Sequence, residues 1–364
     1  MRNGEMVGAF EREFAAYVDA KYAIALCNGT ATLHTALVAL GVKPGDKVAV
    51  PPLTHSATTI AVLHAGAIPV FADVDPKTWL MEVGAPDIRA QMPVSLYGLH
   101  ARVDDWRDGK RMHGKRGFVV DAAQTLQPME ARPGRSGYPE FQSYSFQASK
   151  ILALGEGGML VTNDEGLATK AREFSSLGYR MKADQPRIDP EVLKASDYER
   201  HYSLGWNYRM ADYVAHQGYY ALKDADTLIR VRQEAAGFYR EAIEGCNWIS
   251  QQHVPEGYSH NYWTHAVATD TPEQQKLLSD AVVKHGGERP YSAWRLTYDE
   301  PAFTHLRPGY TPLVGRMPTP PIFRQPICPV AESLQPRLLQ LQTNNLESAQ
   351  KNADALHRAI REIG

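Results

Sequence analysis

Two stretches in the middle of the chain carry residues whose types and spacing could do chemistry. In GFVVDAAQT an apolar run ends in Asp121, and Gln124 follows three residues later. In YSFQASKILALGEGG, Ser145 comes five residues before Lys150, which lies beside an apolar run. Ligands of α/β folds bind at the carboxyl ends of parallel strands. These four side chains are therefore candidates for one common site.

Lys150 and Asp121 each have two interpretations. A lysine beside an apolar run commonly extends its ammonium group to solvent. A lysine desolvated among apolar neighbours loses its proton more readily, because burial disfavours the charged form, and Schiff-base chemistry requires the uncharged amine. An aspartate directly after a strand either caps the following helix or partners a buried cation. The residues alone leave both pairs of alternatives open.

A third candidate is a strand-to-helix junction near the start of the chain. The run YAIALCN predicts a strand that leads into Gly29 and Thr30, and these two residues open a helix. A helix start offers free backbone N–H groups and the positive end of the helix dipole, which suits a phosphate. Such junctions are common, however, and most of them bind nothing. A fourth candidate is Asn207, which lies between aromatic residues at the predicted start of a later helix.

The hydrophobic pattern predicts the elements that would position these residues. Between Lys21 and about Asp164, short β-like runs alternate with helical segments such as 31–41 and 56–66, each closed by a glycine. This rhythm predicts a mostly parallel sheet with helices on both faces. The last strands follow one another without a helix, which predicts one antiparallel neighbour. The predicted strands are YAIALCN, KVAVP, IPVFADV, MPVSLYG, GFVVDAA, FQSYSF and GGMLVTN.

The second half of the chain predicts a smaller unit. Residues 184–200 are polar and predict an exposed excursion, after which 205–243 predict one long helix that leads to this unit. Further on, HAVATD predicts a strand, and LESAQKNADALHRAIREI predicts a terminal helix. We therefore expect a large domain over residues 1–225 and a small α+β domain over residues 226–364.

Composition excludes several classes of function. The net charge of −2 over 364 residues argues against a nucleic-acid-binding surface, and the basic stretch Arg107–Gly117 is interrupted by glycines, so it predicts a solvated loop. Cys27, Cys246 and Cys328 have no paired spacing, which predicts neither a disulfide framework nor a metal site and favours the cytosol. No run approaches the ~20 apolar residues that span a bilayer. The first 20 residues predict an amphipathic helix, without the apolar core of a signal peptide.

Six blocks taken together resemble the DegT/DnrJ/EryC1/StrS family of pyridoxal-phosphate-dependent sugar aminotransferases, which have the aspartate-aminotransferase (type I) fold. The resemblance covers most of residues 9–220 and becomes diffuse beyond about residue 225. It implies a mostly parallel seven-stranded sheet sandwiched by helices, with a smaller α+β C-terminal domain. The blocks occur in the family's order and approximate spacing: GT-A-LHTAL, P-THSAT, VVDAAQ, SYSFQASK, GEGGMLVTND and WNYRM.

The resemblance implies the catalytic roles. Lys150 matches the lysine that holds pyridoxal 5'-phosphate as a Schiff base and later moves a proton. Asp121 matches the acid paired with the pyridine nitrogen; a carboxylate there favours the protonated ring, which is the electron sink of this chemistry. Gln124 matches the residue at the 3-oxygen of the cofactor.

The resemblance also implies how the rest of the cofactor is held. Gly29, Thr30 and Ser145 match the phosphate cradle. His55 falls where the family usually stacks an aromatic ring on the cofactor; a histidine can stack as a flat ring, and the alternative is a polar residue that faces solvent. Asn207 matches an asparagine that reaches the phosphate in the partner subunit, so the resemblance implies a homodimer.

Three features depart from the family pattern. Family members usually have further residues ahead of the block GAFEREFAAYVDAKYA, so either the acceptor site is more open or the numbered start is truncated. Ser95 stands where a histidine is typical, which predicts altered contacts near the sugar. The polar insertion 184–200 lengthens the loop before Asn207 and could reshape the substrate entrance.

The resemblance implies an aminotransferase that moves an amino group from glutamate or glutamine to a keto-sugar, with a nucleotide-linked keto-hexose favoured. Relatives that remove a hydroxyl group instead carry histidine in place of the lysine, and Lys150 is retained here. A keto-cyclitol acceptor is one alternative. A cofactor-binding regulatory protein without turnover is another, which the loss of Lys150 or Asp121 would have supported.

Overall fold

The structure, a computed structural model, describes residues 4–82, 84, 87–101, 103, 117–128, 139–304 and 327–364. The basic stretch Arg107–Gly117 lies outside these ranges except for its last residue. None of the helices in the described ranges combines the length and apolar character needed to cross a bilayer.

Helices and strands alternate through the first half of the chain, and a second group of elements follows. The strands are β1 (Tyr22–Leu26), β2 (Lys47–Val50), β3 (Ile68–Phe71), β4 (Ala90–Gln91), β5 (Gly117–Asp121), β6 (Phe141–Ser145), β7 (Gly158–Thr162), β8 (Ile249–Gln251), β9 (Thr264–Thr269), β10 (Tyr291–Ser292) and β11 (Leu338–Gln342). The α-helices are α1 (Glu5–Tyr17), α2 (Gly29–Ala39), α3 (Ala57–His64), α4 (Glu165–Ser175), α5 (Pro190–Leu193), α6 (Asp212–Ala221), α7 (Ala225–Ala242), α8 (Pro272–Lys284), α9 (Pro301–Thr304), α10 (Pro329–Leu334) and α11 (Leu346–Ile363).

The first seven strands form one sheet in the order β1-β7-β6-β5-β4-β2-β3. Strand β7 pairs antiparallel with β1 and β6, and every other pair in this sheet is parallel. Because β7 follows β6 without an intervening helix, the chain returns in the opposite direction. The predicted seven-stranded, mostly parallel sheet with one antiparallel strand is confirmed.

The strands of this sheet are buried on both faces, because successive side chains point to opposite sides. In β5, Phe118 and Val120 belong to a cluster with α1, whereas Val119 belongs to a cluster with α2 and α3. All five residues of β5 and of β7 are buried. This two-sided burial explains why the sequence of these strands is a continuous apolar run.

Two predicted elements differ from the structure. The strand predicted in MPVSLYG begins earlier, at Ala90–Gln91, and Leu96–Gly98 is a 3-10 turn. The long helix predicted over 205–243 is two helices, α6 and α7, joined by the 3-10 turn Leu222–Asp224. Before α6 the chain runs extended along α4 and β1, where Tyr208 donates to the Ser175 carbonyl and accepts from the Cys27 backbone N–H at 2.7 Å. These backbone bonds override the local helical pattern.

The second sheet has four antiparallel strands in the order β10-β11-β9-β8. Helices α7, α8 and α11 pack together in a core with β9 and β11 that contains Tyr239, Val267 and Leu356. A further hydrophobic cluster joins the two sheets and contains Leu53 and Tyr97 together with Ala266 and Leu338. The predicted strand HAVATD and the predicted terminal helix correspond to β9 and α11. The domain boundary at residue 225/226 stays a prediction.

A buried ion pair ties the N-terminal helix to the sheet. Arg172 of α4 donates from Nη1 and Nη2 to the two carboxylate oxygens of Glu11 in α1, at 3.0 and 2.8 Å. Glu11 also accepts from the Ala25 backbone N–H at 2.7 Å, and Arg172 donates to the carbonyls of Ala23 and Ala183. Both side chains are 5% exposed. The removal of either charge would therefore leave its partner buried without compensation.

We expect Glu11→Gln to lower the free energy of unfolding by about 3–5 kcal/mol, as for other broken buried pairs. The matched control is Glu191→Gln, which breaks the exposed pair with Lys194 and should cost no more than ~1 kcal/mol. Urea unfolding of the apoprotein at neutral pH measures both. Equal losses in the two variants would contradict a structural role for the Glu11–Arg172 pair.

His265 of β9 is a buried histidine whose two ring nitrogens have no hydrogen-bond partner within the described residues. Its ring stacks between Tyr239 and Tyr262, with centroid distances of 5.5 and 5.9 Å. Burial lowers the pKa of His265 to about 3, and the nearby Arg240 adds to this effect. The folded protein therefore holds this ring neutral.

This histidine should make the protein sensitive to acid. The pKa of His265 in the folded protein lies below the 6.5 of an unperturbed histidine, so the unfolded chain binds more protons. The corresponding free energy of unfolding is fully present above pH 6.5 and is lost as the pH falls towards 3. We expect His265→Phe to retain the stacked ring and to lose less stability between pH 6.5 and 4 than the parent. His253→Gln, at an exposed position, is the control. The free energy of unfolding is measured by urea at each pH. If it falls equally with pH in the parent and in His265→Phe, His265 is not the source of the acid sensitivity.

Candidate active site

Four chain segments meet at the carboxyl edge of the seven-stranded sheet. β1 leads into Gly29, β5 ends at Asp121, and β6 ends at Ser145 and continues to Lys150. The segment after β2 brings His55 to the same edge. Together they line a cavity of about 530 Å³. Parallel strands place their ends at one edge, which is why residues far apart in sequence converge here.

The start of α2 forms one end of this cavity. The Asn28 side chain caps the helix by accepting from the Ala31 backbone N–H at 2.8 Å, which leaves the N–H groups of Gly29 and Thr30 for a ligand. Gly29 packs closely on Ser145: a Cβ atom at Gly29 would lie 2.8 Å from the Ser145 Cβ and 3.1 Å from its hydroxyl oxygen. The absence of a side chain at Gly29 therefore keeps this corner open.

Asp121 is 4% exposed, and two protein donors hold its carboxyl group. Thr58 Oγ1 in α3 donates to Oδ2 at 2.7 Å, and the Ala123 backbone N–H donates to Oδ1 at 3.1 Å. Burial raises the pKa of Asp121, and these hydrogen bonds and the positive charge of Lys150 oppose the rise. A cation placed beside Asp121 would lower its pKa again, so this carboxyl group is suited to a positively charged ring nitrogen.

Lys150 is partly buried and faces an aromatic ring instead of open solvent. Its Nζ atom lies 4.7 Å from the ring centroid of Trp263. Burial lowers the pKa of the Lys150 amine, and the charge of Asp121 partly opposes this. Of the two interpretations that the sequence left open, the structure favours the desolvated amine, which becomes uncharged more readily than a surface lysine.

Gln124 lines the cavity while its oxygen supports the fold. The Oε1 atom accepts from the Tyr97 backbone N–H at 2.6 Å, and Tyr97 is a non-glycine residue with a φ of 60°. Because the oxygen is already occupied, the Nε2 amide group is the part of Gln124 that can donate to a ligand. This donor suits an anionic oxygen such as the 3-oxygen of the cofactor.

Two tryptophans complete the cavity, and sequence reasoning missed both. Trp263 and Trp294 stack with a centroid distance of 6.0 Å, and Trp263 Nε1 donates to the Ser149 carbonyl at 2.7 Å. They lie beyond residue 225, where the family resemblance is diffuse, and no motif marks them. His55 lies edge-on to Trp294 at 5.7 Å, and its Nδ1 accepts from the Ala57 backbone N–H at 3.2 Å.

Asn207 and Ser95 lie outside the described cavity of this subunit. Asn207 is exposed and does not line the described cavity, and it is not at a helix start: it forms an extended bridge with Ser176, and α6 begins at Asp212. Ser95 is fully buried and its hydroxyl accepts from the Ala101 backbone N–H at 3.1 Å; it too lies outside the described lining. The insertion 184–200 is largely exposed and contains the short helix α5.

The residues of this cavity fit pyridoxal phosphate on features of the structure itself. At one end a glycine leaves space beside two unclaimed N–H groups and a serine hydroxyl, which suits a phosphate. Further in lies the buried carboxyl group of Asp121, and Lys150 supplies the amine. The volume also lies within the usual range for a cofactor site. The individual assignments remain proposals.

We expect Gly29→Ala to weaken pyridoxal phosphate binding by about 10- to 100-fold, because the new Cβ would overpack against Ser145. The matched control is Gly237→Ala in α7, where the nearest atom to a new Cβ is 3.7 Å away. Titration of each apoprotein with pyridoxal phosphate, followed by absorbance, measures the affinity. Unchanged affinity in a folded Gly29→Ala protein would contradict a phosphate at this helix start.

Comparison with known proteins supplies independent information. A family model described as the DegT/DnrJ/EryC1/StrS aminotransferase family matches residues 1–347. The chain is 33% identical to a GDP-perosamine synthase of Caulobacter vibrioides over 291 residues, which cover 77% of this chain and 73% of the relative. It is 31% identical to a UDP-N-acetyl-3-dehydro-alpha-D-glucosamine 3-aminotransferase of Acidithiobacillus ferrooxidans, over 71% of this chain and 67% of the relative.

Solved structures agree with the fold. An aminotransferase from Psychrobacter cryohalolentis superposes with a TM-score of 0.81 at 27% identity, covering 99% of this chain and 92% of that one. DesV from S. venezuelae superposes with a TM-score of 0.79 at 26% identity, covering 98% of this chain and 90% of that one.

Proposed function

This chain belongs to the DegT/DnrJ/EryC1/StrS aminotransferase family, and from that membership we propose that it transfers an amino group from glutamate or glutamine to the ketone of a nucleotide-linked hexose. The protein is a pyridoxal-phosphate-dependent aminotransferase with an amino donor and a keto-sugar acceptor. The identity of the donor, the nucleotide on the sugar and the roles of the individual residues are proposed.

Pyridoxal phosphate, when bound, supplies the electron sink that stabilises negative charge on the carbon that carries the amine. The protein must then bind the cofactor covalently and move a proton, and we assign both tasks to Lys150. Burial lowers the pKa of this amine, which favours its uncharged form and allows Nζ to accept a proton and return it. Trp263 covers this amine and limits the access of water.

Asp121 would orient the ring by accepting a hydrogen bond from its nitrogen, and Thr58 keeps the carboxyl group in place. Gln124 would donate to the 3-oxygen, since its own oxygen is held by Tyr97. The helix start at Gly29 and Thr30 would bind the phosphate, together with the Ser145 hydroxyl. His55 would stack on the ring, and Trp294 would in turn support His55 from the edge.

The names of the relatives support a nucleotide-linked acceptor. Relatives at 28–33% identity are named GDP-perosamine synthase, and another is named for a UDP-linked keto-sugar. Both names specify a hexose attached to a nucleoside diphosphate. The same class of acceptor is therefore the best-supported choice for this chain, ahead of a free keto-cyclitol.

We also propose that the enzyme is a homodimer in which Asn207 reaches the partner subunit's cofactor. The side chain is exposed and lies outside the cavity of its own subunit. Several large hydrophobic side chains near it in the sequence are exposed in the single subunit: Tyr202, Leu204, Trp206 and Tyr213. Exposed hydrophobic side chains of this kind support an interaction surface in this segment.

The family membership and the presence of Asp121 and Lys150 in one cavity support this function, and a two-step assay tests it. The holoenzyme should lose its visible absorption band on addition of L-glutamate or L-glutamine, and the aminated form should regain it with a GDP- or UDP-linked keto-hexose. Lys150→Arg should retain cofactor binding at the phosphate and lose at least ~10³-fold in rate, because the general base is no longer available.

The outcomes separate the alternatives. A keto-cyclitol that restores the band faster than the nucleotide sugars would overturn the proposed acceptor. A band that no amino donor changes would indicate a regulatory protein and contradict the aminotransferase activity. Mass spectrometry after borohydride reduction should find the cofactor on Lys150, and modification of another lysine would refute its role.

A further inference from the structure

A second cavity adjoins the cofactor cavity, and the function described so far does not use it. Its volume is about 340 Å³, and it shares Ser149, Trp263 and Trp294 with the first cavity. Its remaining wall comes from the small sheet and includes Gln340 and Gln342 of β11. A molecule bound at Lys150 could extend past the two tryptophans into this space.

Arg232 of α7 lines this second cavity, and its guanidinium group is buried without an ionic partner in the described part of the chain. The side chain is 5% exposed, and its Nε atom has no hydrogen-bond partner within the described residues. Nη1 donates to the Leu228 carbonyl of the same helix, at 3.1 Å. No acidic group in the described part of the chain forms an ion pair with it. A buried guanidinium without an ionic partner is costly, so a bound anion would relieve this cost.

Three other polar side chains of the lining are already hydrogen-bonded within the protein. Gln340 Nε2 donates to the Ser292 carbonyl at 3.1 Å, and Thr343 Oγ1 donates to the Tyr262 carbonyl at 2.6 Å. Gln342 Nε2 donates to Glu288 at 3.2 Å. Arg232 is the charged side chain among the described lining residues, and its Nε atom is a buried donor without a partner in the described part of the chain.

The chemistry of the site favours a carboxylate. A guanidinium binds carboxylate and phosphate oxygens through paired N–H donors. A nucleoside diphosphate would bring at least two negative charges to a cavity with one cation and 340 Å³ of space. A single carboxylate matches the one charge. Trp263 links the two sites, because the same ring lies 4.7 Å from Lys150 Nζ and lines the Arg232 cavity.

We propose that Arg232 binds a carboxylate of the amino-acid donor and thereby holds the donor's amine at Lys150. This inference rests on the proposed aminotransferase function and assigns a donor site within it. Arg232 is a binding residue here, so its loss should affect the concentration of donor that is required and not the rate at saturation.

The test is the donor half-reaction of the holoenzyme, followed by its visible band at varied L-glutamate. In Arg232→Met, we expect the half-maximal L-glutamate concentration to rise about 10- to 100-fold, as for the loss of a hydrogen-bonded charge, with the maximal rate within about threefold of the parent. Arg232→Lys retains the charge but not the paired donors, so it should lie between the two. Arg230→Met, an exposed arginine on the same helix, should behave like the parent.

Three results would overturn the inference. An unchanged L-glutamate dependence in folded Arg232→Met or Arg232→Lys would show that the residue is structural. Weaker binding of GDP or UDP to the Arg232 variants, with an unchanged donor dependence, would assign the cavity to nucleotide phosphates. If Arg232→Met does not fold, inhibition by glutarate is the deciding measurement. Glutarate should compete with L-glutamate in the parent and lose at least ~10-fold in potency in Arg232→Lys. Equal potency in the two proteins would overturn the inference. A parent holoenzyme that responds to neither glutamate nor glutamine would contradict the proposed function itself.

Discussion

The site depends on the burial of two opposite charges at the carboxyl edge of one sheet. Desolvation raises the pKa of Asp121 and lowers that of Lys150, so each group is pushed towards its neutral form, while their mutual attraction opposes both shifts. An amine that becomes neutral readily is a nucleophile, and a carboxyl group that becomes ionised beside a cation is a partner for a protonated ring. The remaining structure serves to maintain this desolvation.

The parallel sheet provides the burial from one side. Both faces of β5 are covered, by α1 on one side and by α2 and α3 on the other, and Thr58 of α3 contacts Asp121 directly. The Glu11–Arg172 pair holds α1 against β1 and α4. The site is therefore built on rigid elements, which suits a cofactor that must be held in a defined orientation.

The C-terminal half provides the burial from the other side. Trp263 lies over Lys150 and Trp294 lies beside it, and their stacking joins the cofactor cavity to the cavity of Arg232. The same ring thus desolvates the catalytic amine and borders the proposed donor site. In this arrangement a donor that binds at Arg232 would add to the exclusion of water at Lys150.

The sequence by itself determined the sheet and the residues at its edge. Continuous apolar runs specify strands buried on both faces, and Asp121, Ser145 and Gly29 follow such runs directly, so their positions at the edge are local consequences of the pattern. The predictions were wrong where long-range bonds decide the conformation: the segment of Asn207 is extended because β1 and α4 bind its backbone, against its helical pattern. Only the tertiary structure brought Trp263 and Trp294 to the cavity of Lys150 and Arg232 to the adjoining cavity. Contacts between residues this far apart in sequence depend on how the two sheets pack, which no local pattern encodes.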